Sequence, residues 1–443
     1  MFPLINHRLV VAFAAAWMLV LPKADAGAGK PPNLVVILVD DLGIECLPCY
    51  GGRSHETPSL DALADRGMRF THCFSNPTCS PSRATLLSGR YSFAHGLKKV
   101  IWHPQRHADQ WLRPDQPSFA RQLKLAGYTT AIAGKWQLSF LDQRNTIADF
   151  GFDHYQCWQI HDGNGRRTRR FHQPHFNRNG VIRDDIADRY GPEVNVEFLI
   201  DFIEASTAKE QPFLAYYTCL LPHYPWVPTP DSEDQADPLT DTAGHGDPKF
   251  FPDMVRYLDK NVGRLMTTLD RLGIAEDTVV CFLADNGTDR KLTNRWGEDK
   301  LVEGGKGTMT DRGTRVPLIV RWPGKIAAGS TCTDLVDFTD LMPTLCELAG
   351  APLPVEKIHG RSFAPQLLGK PGRPREWVHV QDGEQRHVRS RDFIRDHLNQ
   401  LRPTVEIWQS PANPVQDFDP QAKTARRQLR AAFDELGDGP IPE

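Results

Sequence analysis

Continuous apolar, β-branched runs alternate along this chain with stretches in which apolar residues recur every three or four positions. Leu34 to Val39 is such a run, the pattern of a strand buried on both faces. Phe213 to Cys219, Thr278 to Ala284 and Val316 to Trp322 repeat it, and Tyr128 to Ala133 predicts a fifth strand. Helical spacing fills the intervals. A helix over 58–66 is entered through Thr57 and Pro58, proline being suited to a first helical position. A short one follows Ser118, carries Phe119, Leu123 and Leu125, and stops at Gly127. Asn195 to Glu204 is amphipathic, and over 253–272 the residues Met254, Leu258, Val262, Leu265, Leu269 and Leu272 form one stripe that ends at Gly273. Asp340 to Leu348 predicts a short helix closed by Gly350. Alternation of this kind argues for an α/β architecture.

Two regions break the pattern. From 141 to 192 it is irregular. Beyond Pro371 to Pro374, strand-like pieces at Trp377–Val380, His387–Ile394 and Val405–Trp408 precede a charged helix over 421–436. The tail is therefore expected to be a small antiparallel sheet with one helix, packed on the main domain. The first 26 residues read as a leader: Arg8 supplies a positive start, Leu9 to Leu21 an apolar centre, and Ala24-Asp25-Ala26 a small-residue cleavage site. The expected organisation is a signal peptide over 1–26, a main domain over 27–370 and a small subdomain over 371–443. The mature chain is expected to be secreted or periplasmic, with no stable membrane span.

Composition narrows this only slightly. With 443 residues, 40% of them apolar and 24% charged, the chain suits one large and one small globular unit. A formal net charge of −3 gives no case for nucleic acid as a partner. There are nine cysteines, an odd number that singles one out in an exported chain. Cys46-Leu-Pro-Cys49 is read as structural or as a local disulfide.

The chemistry collects at strand ends. Asp40-Asp41 follows the first strand, Gly134-Lys135 another, Leu221-Pro222-His223 a third and Asp285-Asn286 a fourth, while Gly304-Gly305-Lys306-Gly307 presents a lysine on a glycine-rich loop. Several such endings imply one cleft along the carboxyl edge of a sheet. Asp40, Asp41, Asp285 and Asn286 offer oxygen only, which selects calcium or magnesium over zinc, with calcium preferred for its larger shell. Asn286-Gly287-Thr288 also matches a glycosylation sequon, but a buried strand end favours a ligand. Arg83, Lys135 and Lys306 can neutralise an anionic substrate, and His223 can serve a leaving oxygen. The set calls for a tetrahedral oxyanion, sulfate or phosphate. Cys79 is expected just ahead of a helix capped by Ser80, with Pro81 in its first turn and Gly89 at its end. The run Arg166-Arg167-Thr168-Arg169-Arg170 reads first as a solvated insertion and second as a collar for a polyanion. His154, His161, His172 and His175 lack the spacing of a metal cluster.

Cys79-Ser80-Pro81-Ser82-Arg83, continuing through Leu86, Ser88, Gly89 and Arg90, resembles the first signature of the sulfatase family. Gly127-Tyr128-Thr129-Thr130 through Gly134-Lys135-Trp136 resembles the second, and Asp337-Phe338-Thr339-Asp340 to Ala349-Gly350 a further landmark; the likeness spans roughly residues 33 to 365. The resemblance implies an alkaline-phosphatase-like fold, a large mixed and mostly parallel sheet between helices. It implies an arylsulfatase-type sulfuric ester hydrolase whose Cys79 is converted by a maturation enzyme to formylglycine. Calcium would be held by Asp40, Asp41, Asp285, Asn286 and modified Cys79, with Arg83 holding the aldehyde hydrate, Lys135 and Lys306 binding sulfate, and His223 facing the leaving group. The substrate would be a small-molecule or glycan sulfate ester. One position departs from the family: Gln137 stands where a histidine is usual. Glutamine can orient by hydrogen bonding but cannot act as a base. The alternatives are a phosphate or phosphonate ester hydrolase of the same superfamily and a non-catalytic binding protein.

Overall fold

A computed structural model describes residues 30–234, 246–415 and 419–436; the leader expected over 1–26 lies outside them. Twelve of its strands are β1 (Asn33–Val39), β2 (Met68–Phe74), β3 (Thr129–Gly134), β4 (His154–Trp158), β5 (Phe176–Arg178), β6 (Val181–Ile182), β7 (Phe213–Thr218), β8 (Thr278–Ala284), β9 (Thr293–Trp296), β10 (Lys300–Glu303), β11 (Arg315–Arg321) and β12 (Ser330–Asp337). Ten of these form one sheet in the order β12-β2-β11-β8-β1-β7-β3-β4-β5-β6. The run from β8 to β4 is parallel, and β11 is antiparallel to both its neighbours. Every residue of β1, β7 and β8 is buried, as expected of strands covered by helices on both faces. The helices Pro58–Asp65, Phe119–Leu125, Gly191–Ala208, Phe251–Arg271 and Leu341–Ala349 supply that cover.

The periodicity missed five strands of this sheet. Two are β12, at its edge, and β2, beside it, which carry polar residues, Thr331, Thr333 and Asp334 on the first and Arg69, Thr71 and His72 on the second, so neither reads as an apolar run. The irregular stretch 141–192 also contains structure: β4 joins the main sheet beside β3, and β5 and β6 extend it.

The tail is an antiparallel sheet of four strands, β13 (Val378–Asp382), β14 (Gln385–Arg389), β15 (Phe393–Asp396) and β16 (Leu401–Pro403), with the helix Pro420–Leu436. The expected strand His387–Ile394 is in fact two, β14 and β15, because the chain reverses between them. Val405–Trp408 is no strand: Ile407 and Trp408 instead pack with Ile44, Val302 and Trp296. The helix buries Ala422, Ala425, Leu429, Ala432 and Phe433 against Tyr91, Val388 and Leu401.

Several contacts tie the tail to the rest, two of them close to the landmark Asp340 and to Cys79. The buried Arg375 donates through Nε to both oxygens of Asp340, at 2.9 and 2.7 Å, and through Nη2 to the His359 carbonyl at 2.7 Å. The backbone N–H of Gln381 donates to Asn76 Oδ1 at 3.0 Å, three residues before Cys79. Two histidines nearby are also fully enclosed. His95 accepts from Leu97 N at Nδ1 and meets Thr85 Oγ1 at Nε2, while His387 on β14 has no hydrogen-bond partner at Nε2. All nine cysteines are free thiols. Cys46 lies 3.3 Å from Thr288 Oγ1, so the Cys46–Cys49 pair is structural and not a disulfide.

Candidate active site

The helix that carries Cys79 runs Cys79–Ser88 and is buried at every residue. It begins at Cys79 itself, not after it, and Ser80 is no cap. Its hydroxyl instead accepts from the backbone N–H of Ile101 at 3.2 Å, which brings the 95–115 loop over the start of the helix. Gly89, with φ of 65°, closes the helix in the left-handed conformation expected of a terminal glycine.

Around Cys79 the strand ends converge. Asp40 and Asp41 follow β1, Asp285 and Asn286 follow β8, and Lys135 follows β3. Gly134 before the lysine is obligatory, since its φ is 118° and a Cβ there would sit 1.8 Å from the Thr218 carbonyl oxygen. Lys135 Nζ donates to Asp40 Oδ2 at 2.6 Å and Lys306 Nζ to Asp41 Oδ2 at 2.5 Å. Arg83 reaches Asp285 Oδ2 through Nε at 2.9 Å and Nη2 at 2.7 Å, and donates to the Lys135 carbonyl. Asp41 accepts from Asn286 Nδ2 at 2.8 Å, which places the sequon asparagine in the interior, 0% exposed. His223 Nε2 lies 3.1 Å from Lys306 Nζ and 3.7 Å from Asp41 Oδ2. Gln137 accepts from Cys79 Sγ at 3.1 Å and donates to the Ile101 carbonyl at 2.7 Å. Eight of the ten residues singled out by the sequence are therefore within one connected network, and Cys79 and Gln137 form a bonded pair beside it.

Three carboxylates face three permanent cations in this network. Burial would raise Asp40, but Lys135, with His223, Arg83 and Lys306 behind it, holds its carboxyl below the ordinary range. Burial raises Asp41, and raises Asp285 to about 7 with the charge of Asp40 added. Burial opposes the charge on Lys306, yet Asp41, Cys79 and Asp40 together outweigh it and hold the ammonium above the usual lysine value. Burial and then Lys306 push His223 down. Burial also pushes the Cys79 thiol up, beyond what Lys135 offsets. Its surroundings therefore disfavour the thiolate form that a cysteine nucleophile needs.

The donor set suits a hard divalent cation. Asp40 Oδ1 and Asn286 Oδ1 are buried oxygens with no hydrogen-bond partner, an arrangement that is unfavourable unless a cation meets them. Ligand atoms of Asp40, Asp41 and His223 also lie within 4.8 Å of one another. Raised carboxylates at Asp41 and Asp285 are what a nearby +2 charge would reverse.

The sequence did not separate Arg170 from its neighbours. Arg166 and Arg167 are exposed and Arg169 is partly so, whereas Arg170 is 2% exposed. Its guanidinium lies 4.6 Å from the Trp158 ring and 5.0 Å from Phe171. Nη2 is 2.8 Å from His223 Nδ1 and also meets the Tyr224 carbonyl. The run is thus a solvated loop that ends in one internal residue. The aromatic residues Trp158 and Phe171 were the available signal.

A family model described as Sulfatase matches residues 32–351. Human arylsulfatase A is 32% identical over 382 residues, covering 81% of this chain and 72% of its own. Dog N-acetylgalactosamine-6-sulfatase is 33% identical over 388 residues, covering 81% and 71%. Among solved structures, that of Ps i-CgsB superposes with a TM-score of 0.75 at 22% identity over 94% of each chain. BT4656 in complex with its substrate D-glucosamine-2-N,6-O-disulfate gives 0.72 at 21% identity, over 93% of this chain and 99% of that one. At such identities these two structures speak to the fold, which is the alkaline-phosphatase-like arrangement of a mixed sheet between helices.

Proposed function

The chain belongs to the sulfatase family, and from that premise we propose that it is an exported sulfuric ester hydrolase, dependent on formylglycine and calcium, that acts on a carbohydrate or aryl sulfate. The observation that carries this reading is the position of Cys79. It is a buried thiol at the start of a helix, bonded to Gln137, with burial disfavouring its ionisation, beside strand ends that bring three carboxylates and three cations together. A thiol in that state has no use as a nucleophile, whereas its conversion product does. Once converted, residue 79 supplies the hydroxyl of an aldehyde hydrate as the nucleophile. Calcium held by Asp40, Asp41, Asp285, Asn286 and modified Cys79 would supply a Lewis acid for the ester's oxygens.

The remaining roles fall to side chains already in place. Arg83 is locked by Asp285 and the Lys135 carbonyl, and so presents a fixed positive charge beside residue 79. Lys135 and Lys306 bring ammonium groups to the sulfate oxygens, where charge grows in the transition state. His223 and Lys306, 3.1 Å apart, meet the departing oxygen together. Gln137 holds residue 79 and the Ile101 carbonyl with its two amide atoms, so it orients the hydrate but takes no proton. Release of sulfate and restoration of the aldehyde must draw on another base. Retention of every other ligand argues against a merely binding role.

The loop that meets Ser80 and Gln137 through Ile101 also lines a cavity. This cavity, of about 560 Å³, is lined by Lys98, Lys99 and Gln110 on one side and by Asp382, Glu384 and Gln385 at the tip of the β13–β14 hairpin on the other. It is of a size to take a sugar ring, and its two lysines and two carboxylates balance, with Lys98 3.5 Å from Glu384.

The test is to express the chain together with a formylglycine-generating enzyme and weigh the peptide containing Cys79. Conversion that tracks sulfatase activity is the expected result. Full activity with an unmodified thiol would refute the mechanism.

A further inference from the structure

The sequon Asn286-Gly287-Thr288 is interior at both its asparagine and its threonine, each 0% exposed, so the threonine hydroxyl serves inside the protein. Thr288 Oγ1 accepts from the backbone N–H of Gly43 at 2.9 Å and donates to Glu45 Oε1 at 2.5 Å. Cys46 Sγ lies 3.3 Å from it. The Thr288 carbonyl accepts from the backbone N–H of Lys306 at 2.9 Å. One residue thus ties together the turn after β1, the end of β8 and the loop that presents Lys306.

The turn after β1 is where such a tie matters. Asp41 has φ of 65°, in the left-handed region that residues other than glycine enter at a cost and that aspartate tolerates better than most. Its N–H donates to Asp285 Oδ1 at 3.2 Å, and its carboxylate accepts from Asn286 Nδ2 and Lys306 Nζ. A cation held by Asp41, Asp285 and Asn286 would compete for the oxygens in those bonds. The bond from Gly43 to Thr288, two residues further along the turn, uses no atom that a cation would claim. A Cβ on Gly43 would lie 2.2 Å from Glu45 Oε2, so the carboxylate that accepts the threonine hydroxyl also packs against this turn.

We propose that Thr288 is a positioning residue for the metal site, its hydroxyl holding the turn that keeps Asp41 left-handed and its carboxylate beside Asn286. Valine has the shape of threonine but neither donates nor accepts, so Thr288→Val leaves the Gly43 N–H and Glu45 Oε1 without this partner. The turn then relaxes and carries Asp41 away from the other ligands.

The inference rests on the calcium reading for its effect on affinity but not for its effect on shape. The affinity is read by calorimetric titration of calcium into chelator-treated protein, at a temperature where circular dichroism shows parent and variants all folded. Thr288→Val is expected to raise the calcium Kd about 10- to 100-fold, whereas Thr288→Ser, which keeps the hydroxyl, should stay within about threefold of the parent. A hydroxyl that served only the fold would lower the melting temperature and leave Kd where it was. Crystal structures of the calcium-free parent and Thr288→Val proteins read the turn without any metal, and Asp41 is expected to leave the left-handed region in the variant. A smaller rise of Kd in Thr288→Val, a rise as large in Thr288→Ser, or an Asp41 that keeps its φ and its place in the variant crystal overturns the proposal. Thr288→Ala serves if the valine variant does not fold, with the same expectations and the same refutations. Failure of the parent to bind calcium would defeat the calcium reading while leaving the crystal structures to decide this one.

Discussion

Acid should unfold this protein partly through two histidines far from its chemistry. His95 and His387 are 3% exposed, and burial, helped by Arg90 for the first and Arg389 for the second, lowers each to about 3 from an ordinary value of 6.5. Both rings are therefore neutral in the fold and charge only in the unfolded chain. The sign follows: the stability they contribute is fully present above about pH 6.5 and is lost as the pH falls from there toward 3. Between pH 7.5 and 5.0 the unfolded chain gains the proton and the folded one does not, which is about 2 kcal/mol for each ring. His95→Gln and His387→Gln remove the titration while keeping a polar group. Urea unfolding, followed by tryptophan fluorescence at both pH values, should show each variant losing about 2 kcal/mol less than the unsubstituted protein over that interval. The comparison cancels the carboxylates of the active site, which are common to all three proteins. Parallel stability–pH curves for a variant and its parent would refute the premise that these rings stay neutral in the folded state.

Two further outcomes follow from contacts described above. Gln137→His should change the rate at which residue 79 is restored without altering the first half-reaction, measured as a change in steady-state turnover relative to the pre-steady-state burst; an unchanged turnover with that step limiting would make Gln137 a spectator. Arg375→Met leaves Asp340 buried without its counter-charge and should destabilise the fold by about 3–5 kcal/mol in chemical denaturation. The pair Arg375→Met with Asp340→Leu should recover much of that loss, and a double variant as unstable as the single would show that packing, not charge, makes the clasp.

Strands buried on both faces were legible because nothing but apolar residues can fill them, and their ends were legible because carboxylates and lysines are out of place beside such runs. That logic located Asp40, Asp41, Lys135, Asp285 and Asn286 before any geometry. It failed where a strand has one wet face: β2 and β12 mix Arg69, His72 and Asp334 with apolar residues, and β4 to β6 are too short and polar to stand out. It failed also where role depends on direction. Arg166 and Arg170 are the same residue type four positions apart, yet one meets solvent and the other the His223 ring. Ser80 has the chemistry of a cap, but the helix starts at Cys79, two residues before the start that such a cap would give, and the hydroxyl turns to Ile101.

The complete burial of the helix Cys79–Ser88 sets a timetable as well as an environment. Cys79 Sγ is bonded to Gln137, the 95–115 loop meets the start of the helix at Ser80 through Ile101, and the tail reaches Asn76 from Gln381. The last of these arrives three hundred residues after the cysteine has been made. On the proposed reading, in which Cys79 is converted by another enzyme, that enzyme would have to reach it while the chain is still open, and the rate of folding would compete with the rate of maturation. A change that speeds closure of the tail over Asn76 would then leave more molecules folded, stable and chemically unfinished.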